Sequence, residues 1–173
     1  MDTRRLALST SFGAIYYVYR QITILFLPPP LPDLLILPVL VVLGLSFLVV
    51  GLGGATYSAA IAGLLLSITV PAFVPFTFLL ALLLGVTIDF FCSILGVRKN
   101  PEGISKLRFA LALGISSTIV GLIAFYATIT AKVVPYQFEI DAVIIADGII
   151  SGVISGYLAA KVWDKYLVGL LRR

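Results

Sequence analysis

Six long apolar stretches follow one another along the chain, separated by short connections rich in proline, glycine or charge. They cover residues 6–27, 34–50, 55–70, 76–95, 107–131 and 141–162. Each stretch is continuously apolar, whereas a strand of a membrane β-barrel alternates apolar and polar residues. The first stretch is too long for the core of a signal peptide and lacks a small-residue cleavage site at its end. The pattern therefore predicts an all-α membrane protein, a single domain over residues 1–173 built as a bundle of six transmembrane helices.

The composition excludes most soluble folds. Hydrophobic residues make up 61% of the 173 residues and charged residues 12%, and the mean hydropathy is +1.15. A soluble domain carries about 25% charged residues. Six helices of about 20 residues would use roughly 120 residues, which leaves only ends and short connections. We therefore expect a multi-pass protein of the cell membrane, surrounded by the lipid bilayer and without a separate soluble domain.

The basic residues indicate the orientation. With six spans, both termini and the connections after the second and fourth spans lie on one side of the membrane. Ten of the twelve basic residues fall on that side, namely Arg4, Arg5, Arg98, Lys99, Lys106, Arg108, Lys161, Lys165, Arg172 and Arg173. By the positive-inside rule, this side is cytoplasmic, and so are both termini. The basic residues thus mark topology, and no nucleic-acid partner is expected.

Small residues recur every fourth position in several stretches. The last stretch has Gly148, Gly152 and Gly156, and the fifth has Ala110, Gly114 and Thr118. Such stripes allow close approach of helices in lipid, where association depends on packing. Within the later stretches they predict packing inside the bundle. The first stretch carries small residues on several faces, so a contact within the bundle and a contact with a second protein both stay open there.

Several kinds of chemistry are excluded by absent residues. The chain has no His and a single Cys, Cys92, which removes the usual metal ligands and disulfides. It has no glycine-rich nucleotide motif. Without His, a membrane hydrolase would also lack its usual general base. We therefore expect no metal, no cofactor and no enzymatic activity.

Three charged residues lie inside the stretches, away from their ends: Arg20, Asp89 and Asp147. Charges at membrane depth are costly and by default mark a functional site or a structural pair. At 1.5 Å per residue, Arg20, Asp147 and Tyr126 each lie about 8–10 Å below the outer ends of their stretches. Ser151 and Ser155 share a helix face with Asp147, and the last outer connection adds Tyr136, Gln137 and Glu139. Together these residues predict a polar pocket that opens outward.

Two interpretations of these charges stay open. Arg20 and Asp147 could pair across the bundle, which would offset much of the cost of burying each, or at least one of them could contact a ligand. Asp89 lies near the cytoplasmic end, where an ion pair with Arg98 or Arg108 is favoured over a role in a proton relay.

The chain resembles the substrate-binding S-component of energy-coupling factor (ECF) transporters, six-helix proteins that capture a vitamin outside the cell. The resemblance rests on the start at residues 3–9, the loop at 28–33, the tight turn at 51–55 and the last helix at 148–157. It implies two kinds of partner: a shared transmembrane coupling protein and two ATPase subunits. It also implies that small residues of the first helix contact the coupling protein, here Ser9, Thr10, Gly13 and Ala14. Members for cobalt or nickel use an N-terminal His, so a metal substrate is not expected.

The sequence thus favours an uptake module for a vitamin-like small molecule, without catalysis of its own and powered by partner ATPases. Its acidic outer residues suit a substrate with some positive charge, and Arg20 suits a carboxylate or phosphate. An accessory subunit of a larger membrane complex is the alternative. A self-contained ion-coupled carrier is disfavoured because the chain is short and shows no broken helices or inverted repeats.

Overall fold

The described part of the chain is helical throughout. The computed structural model describes residues 3–27, 36–69, 74–97, 104–130 and 138–167, and no strand occurs within these ranges. The helices are α1 (Thr3–Phe26), α2 (Leu37–Val50), α3 (Gly54–Thr69), α4 (Val74–Ile94), α5 (Lys106–Thr130) and α6 (Phe138–Val162), and α6 ends in a π-helical turn, Trp163–Leu167. Each boundary lies within three residues of the predicted one, so the predicted order of six helices is confirmed.

Three segments are long and apolar enough to cross a membrane, namely Phe76–Ile94, Lys106–Ala127 and Ala142–Leu167. By contrast, α2 and α3 have 14 and 16 residues, or about 21 and 24 Å, against a hydrocarbon core of about 30 Å. The helix α1 has 24 residues but carries three arginines. The structure therefore supports a helical membrane protein. The six crossings and the cytoplasmic termini stay predictions.

The short helix α2 is the centre of the bundle. It contacts each of the other five helices, and eight of its 14 residues are buried. A helix that is apolar on every face belongs in an interior, which is why this stretch becomes the core. Around it, α1 packs on α3, α3 on α4, α4 on α5, and α5 on α6.

Basic residues collect at one end of this bundle. The helices α1 and α3 run in the same direction, since Ser58 Oγ donates to the Ser9 carbonyl and Gln21 donates to Thr69. Arg108 lies near Gly96, so α4 ends where α5 begins. We call this the basic end; its described basic residues are Arg4, Arg5, Lys106, Arg108, Lys161 and Lys165. The predicted segregation of charge is confirmed for these residues. Arg98, Lys99, Arg172 and Arg173 lie outside the described ranges.

Three buried serines join α1, α2 and α3 in the half of the bundle nearer the basic end. Ser58 Oγ donates to the Ser9 carbonyl at 2.9 Å and lies 2.7 Å from Ser46 Oγ. Ser46 Oγ in turn is 2.9 Å from the Gly54 carbonyl, to which it donates. All three serines are fully buried. Ser46 and Ser58 have one hydroxyl proton each for these three contacts, so one proton is shared between two acceptors. Together the contacts join three helices.

Replacing Ser58 by alanine is expected to reduce the free energy of unfolding by about 1 kcal/mol, because two interhelical contacts are lost. The matched control is Ser116→Ala. Ser116 is equally buried, but its hydroxyl donates to Ala112 within its own helix, so a smaller loss is expected. Thermal unfolding can be followed by the reaction of the single, fully buried Cys92 with a thiol-reactive dye. Equal losses in both variants would contradict the interhelical role of Ser58.

Candidate functional site

The contact between α5 and α6 sets the position of the candidate site. The glycine stripe of α6 faces the small-residue stripe of α5: Gly148 meets Thr118, Gly152 meets Gly114, and Gly156 meets Ala110. A methyl group on Gly152 would lie 2.4 Å from the Cα atom of Gly114, so the backbones are nearly in contact. The predicted packing of these two stripes within the bundle is confirmed.

A second stripe of α6 is polar and lies beside the glycines. Ser151 Oγ donates to Asp147 Oδ1 at 3.0 Å, and Ser155 Oγ donates to the Ser151 carbonyl at 2.5 Å. Ser155 Oγ also lies 2.9 Å from the carbonyl of Leu37, the first residue of α2. This polar stripe, Asp147–Ser151–Ser155, therefore leads from a carboxylate to the start of the central helix.

The central helix begins beside the second half of α6, far from the start of α6. Its first residue, Leu37, contacts Ser155, which lies 17 residues after the start of α6 at Phe138, or about 25 Å along the helix. From there α2 runs towards the basic end, where the turn at Gly51 leads into α3. It therefore accompanies α6 only in the half nearer the basic end.

Asp147 lies beyond the start of α2. It precedes Ser155 by eight residues of α6 and therefore lies about 12 Å further from the basic end. Burial along the packed face of α6 changes at this point: Gly148 and Gly152 are buried, Asp147 and Ile144 are half-buried, and Val143 is exposed. Ser151, by contrast, is 6% exposed. Asp147 thus stands at the boundary between the packed half of the bundle and the half without a described central helix.

This arrangement equips Asp147 to accept further hydrogen bonds. A carboxylate has two oxygens with about four acceptor positions, and Ser151 donates to one oxygen. The remaining positions suit an N–H group or a cation. Charge-assisted hydrogen bonds of this kind are about twice as strong as neutral ones, so one carboxylate could fix the orientation of a small ligand.

The structure separates two residues that were predicted at one depth. Thr118 of α5 faces Gly148, and Tyr126 lies eight residues further along α5, or about 12 Å. Tyr126 is therefore much nearer the end opposite the basic end than Asp147 is, and 48% of its surface is exposed. The prediction of equal depth is wrong because α6 begins three residues earlier than expected and the helix ends do not lie in one plane.

The other predicted site residues are distributed as follows. Arg20 is half-buried on α1, and its carbonyl accepts a hydrogen bond from Thr23 Oγ1 at 2.9 Å. The helix α1 packs on α2 and α3, and α6 packs on α5 and α2. The two predicted roles of Arg20, pairing with Asp147 and binding of a ligand, both stay predictions. Tyr136 and Gln137 lie outside the described residues. Glu139 belongs to the first turn of α6, and its side chain is not among those that the structure describes.

One member of the site was missed. The four-residue spacing already placed Ser155 on the face of Asp147 and Ser151. Leu37 contributes only a backbone carbonyl, for which the sequence holds no signal.

The four small residues of α1 that were predicted to contact a partner divide between two faces. Ser9 and Gly13 are buried, and a methyl group on Gly13 would lie 2.7 Å from the Ser58 carbonyl of α3. Thr10 and Ala14 are exposed. Next to Ala14 lies a shallow apolar groove of about 390 Å³, lined by Ala14, Ile15, Val18, Tyr19 and Ile22. The outward face of α1 is thus apolar and carries small residues.

Asp89 has partners other than the arginines expected for it. Its Oδ2 accepts hydrogen bonds from the backbone N–H of Thr56, at 2.8 Å, and from the Thr56 hydroxyl. Thr56 is the third residue of α3, where backbone N–H groups have no partner within the helix. Asp89 of α4 therefore caps α3 and places negative charge at the positive end of its dipole. Arg98 lies outside the described residues.

Neither a metal site nor a similar protein gives further information about the function. Among the described residues, no group of three or more Cys, Asp and Glu side chains could hold a metal ion. The chain matches no protein-family model, no characterised protein and no solved structure. Its resemblance to ECF S-components therefore stays a prediction.

Proposed function

We propose that this protein is a membrane-embedded subunit that binds a vitamin-like small molecule for uptake, powered by partner ATPase subunits through a shared transmembrane coupling protein. The observation that supports it best is the polar stripe of α6, which extends from the start of α2 to the half-buried carboxylate of Asp147. In this proposal, the ligand lies beyond the start of α2 and contacts Asp147.

The charge on Asp147 is difficult to explain by packing alone. The contact of α6 with α5 is made by glycines and by a hydrogen bond from Ser117 to the Gly148 carbonyl. Its contact with α2 includes the hydroxyl of Ser155. Neither contact needs a carboxylate, and a charge at membrane depth costs several kcal/mol. A ligand that brings an N–H or cationic group to Asp147 would offset that cost.

The proposal also assigns roles to α1. Arg20 would bind a carboxylate or phosphate of the ligand, so a zwitterionic or heteroaromatic vitamin suits both charges. Thr10 and Ala14, which face outward, would contact the coupling protein. The hydroxyl of Thr10 already donates to the Leu6 carbonyl at 2.9 Å, so this face can lie against an apolar partner without an unsatisfied donor.

The test is ligand-dependent thermal stability. The purified protein, heated with each member of a panel of vitamins, is expected to melt at a higher temperature with one of them, since a ligand at 100 times its Kd stabilises the folded state by about 2.7 kcal/mol. Asp147→Asn should remove this shift. The matched control is Asp164→Asn, which changes a carboxylate of the same region of the chain at the basic end and should leave the shift intact.

Three results would contradict the proposal. A full shift in the Asp147→Asn variant would exclude this site. No response to any vitamin, together with co-purification with a different membrane complex, would favour an accessory subunit. Transport into liposomes without ATPase subunits would favour a self-contained carrier.

A further inference from the structure

Lysines of α5 and α6 meet at the basic end of the bundle. Lys106, the first residue of α5, lies with its Nζ atom 3.4 Å from Asp164 Oδ2 and 5.9 Å from the centre of the Tyr157 ring. Lys161 is on α6, four residues after Tyr157 and three before Asp164, and therefore shares their face. Lys165 follows within one turn. We call Lys106, Lys161 and Lys165 the lysine patch.

The patch carries an excess of positive charge. Asp164 pairs with Lys106 and neutralises it. Lys161 and Lys165 are exposed, and among the described residues neither has a carboxylate within ion-pair distance. Lys165 Nζ lies 5.2 Å from the centre of the Tyr166 ring. Within the described part of the chain, Lys161 and Lys165 thus present positive charge without a carboxylate partner.

Exposed aromatic and apolar side chains surround the patch. Lys106 and Lys165 lie near the ends of two segments that are long and apolar enough to cross a membrane. Tyr157 and Tyr166 are half-exposed, as is common where a helix meets the membrane–water interface. Next to them, Leu107 and Leu158 are 72% and 40% exposed. A phospholipid likewise combines a charged headgroup with apolar acyl chains.

From the exposed charge, the flanking tyrosines and leucines, and the position at the ends of two apolar segments, we propose that the lysine patch binds the headgroup of an anionic phospholipid. Lys161 and Lys165 contact the phosphate, Tyr157 and Tyr166 flank the headgroup, and the acyl chains lie along the exposed leucines of α5 and α6. Basic surfaces between transmembrane helices bind anionic headgroups in this way. The inference is independent of the function proposed above, because the patch lies at the basic end, away from Asp147.

The single tryptophan allows lipid binding at the lysine patch to be measured in the full chain. Trp163 directly precedes Asp164 and is 4% exposed, so its fluorescence reports on lipid bound at the patch. The protein is reconstituted in bilayers of equal parts phosphatidylglycerol and phosphatidylcholine, with bromine on the acyl chains of one lipid or the other. Brominated phosphatidylglycerol is expected to quench Trp163 more strongly, with about a fivefold binding preference from each lysine.

Matched variants separate a local site from a general effect of charge. Lys161→Gln with Lys165→Gln should abolish most of the preference for phosphatidylglycerol. Arg4→Gln with Arg5→Gln removes the same charge from the same end, but on α1, and should leave the preference intact. All four residues are exposed, and an unreactive Cys92 would show that each variant is folded. Equal quenching by both lipids, or an equal loss in both double variants, would overturn the proposal.

Discussion

Alanine in place of Gly152 is expected to reduce the free energy of unfolding by about 3 kcal/mol, at the upper end of the cost of overpacking. The new methyl group would lie 2.4 Å from the Cα atom and 2.6 Å from the N atom of Gly114. Both are backbone atoms, so no side-chain rotation relieves the contact. The helices α5 and α6 must separate, and the packing along the rest of their contact weakens with them.

The matched control for this variant is Gly114→Ala. It introduces the same methyl group into the same contact between helices, but its nearest neighbour would be the Cγ2 atom of Val153 at 3.5 Å, an ordinary van der Waals distance. Alanine is also favoured over glycine within a helix, so this variant should be as stable as the original protein or slightly more so. Reaction of Cys92 with a thiol-reactive dye during heating measures the stability of both variants. Equal destabilisation would contradict the arrangement of the two stripes.

The Gly152→Ala substitution should also affect ligand binding at the proposed site. Gly152 directly follows Ser151, whose hydroxyl donates to Asp147. Because separation of α5 from α6 would move the polar stripe relative to α2, the Gly152→Ala variant should also lose the ligand-dependent rise in melting temperature. Gly114→Ala should retain it.

The helices and their segregated charges could be predicted because both depend on local patterns. Long apolar stretches bounded by prolines and glycines define the six helices, and the four-residue spacing of Gly148, Gly152 and Gly156 already indicated the face that packs on a neighbour. Such signals are carried within one or two turns of a helix. They require no knowledge of which helix is adjacent.

The depth of each element could not be predicted, because depth is fixed by contacts between distant residues. The start of α2 beside Ser155 follows from a hydrogen bond to a backbone carbonyl, which no pattern of side chains records. Asp89 was expected beside arginines because they lie near it in sequence. Its position at the start of α3 depends on how closely α4 approaches α3 at Gly85, where a methyl group would lie 2.7 Å from the Ala55 carbonyl.

The capping role of Asp89 gives the second prediction with a large effect. Asp89→Ala is expected to reduce the free energy of unfolding by about 3 kcal/mol, because the N–H and the hydroxyl of Thr56 lose their acceptor in a buried place. Asp89 itself is 6% exposed, so water cannot readily replace it. The control is Asp164→Ala, which removes a partly exposed carboxylate and its pair with Lys106; exposed pairs contribute at most about 1 kcal/mol.

The isosteric variant Asp89→Asn distinguishes a cap from a proton relay. Its amide oxygen can still accept from Thr56, and only the attraction between the charge and the dipole of α3 is lost, so the expected loss is about 1 kcal/mol. If Asp89 is a cap, the melting temperature should fall from the original protein through asparagine to alanine, and ligand binding should persist in Asp89→Asn. A relay predicts the reverse: asparagine as stable as aspartate, with uptake abolished in reconstituted vesicles. Thr56→Ala should reproduce part of the loss, since it removes the hydroxyl contact and leaves the backbone hydrogen bond to Asp89 Oδ2 in place.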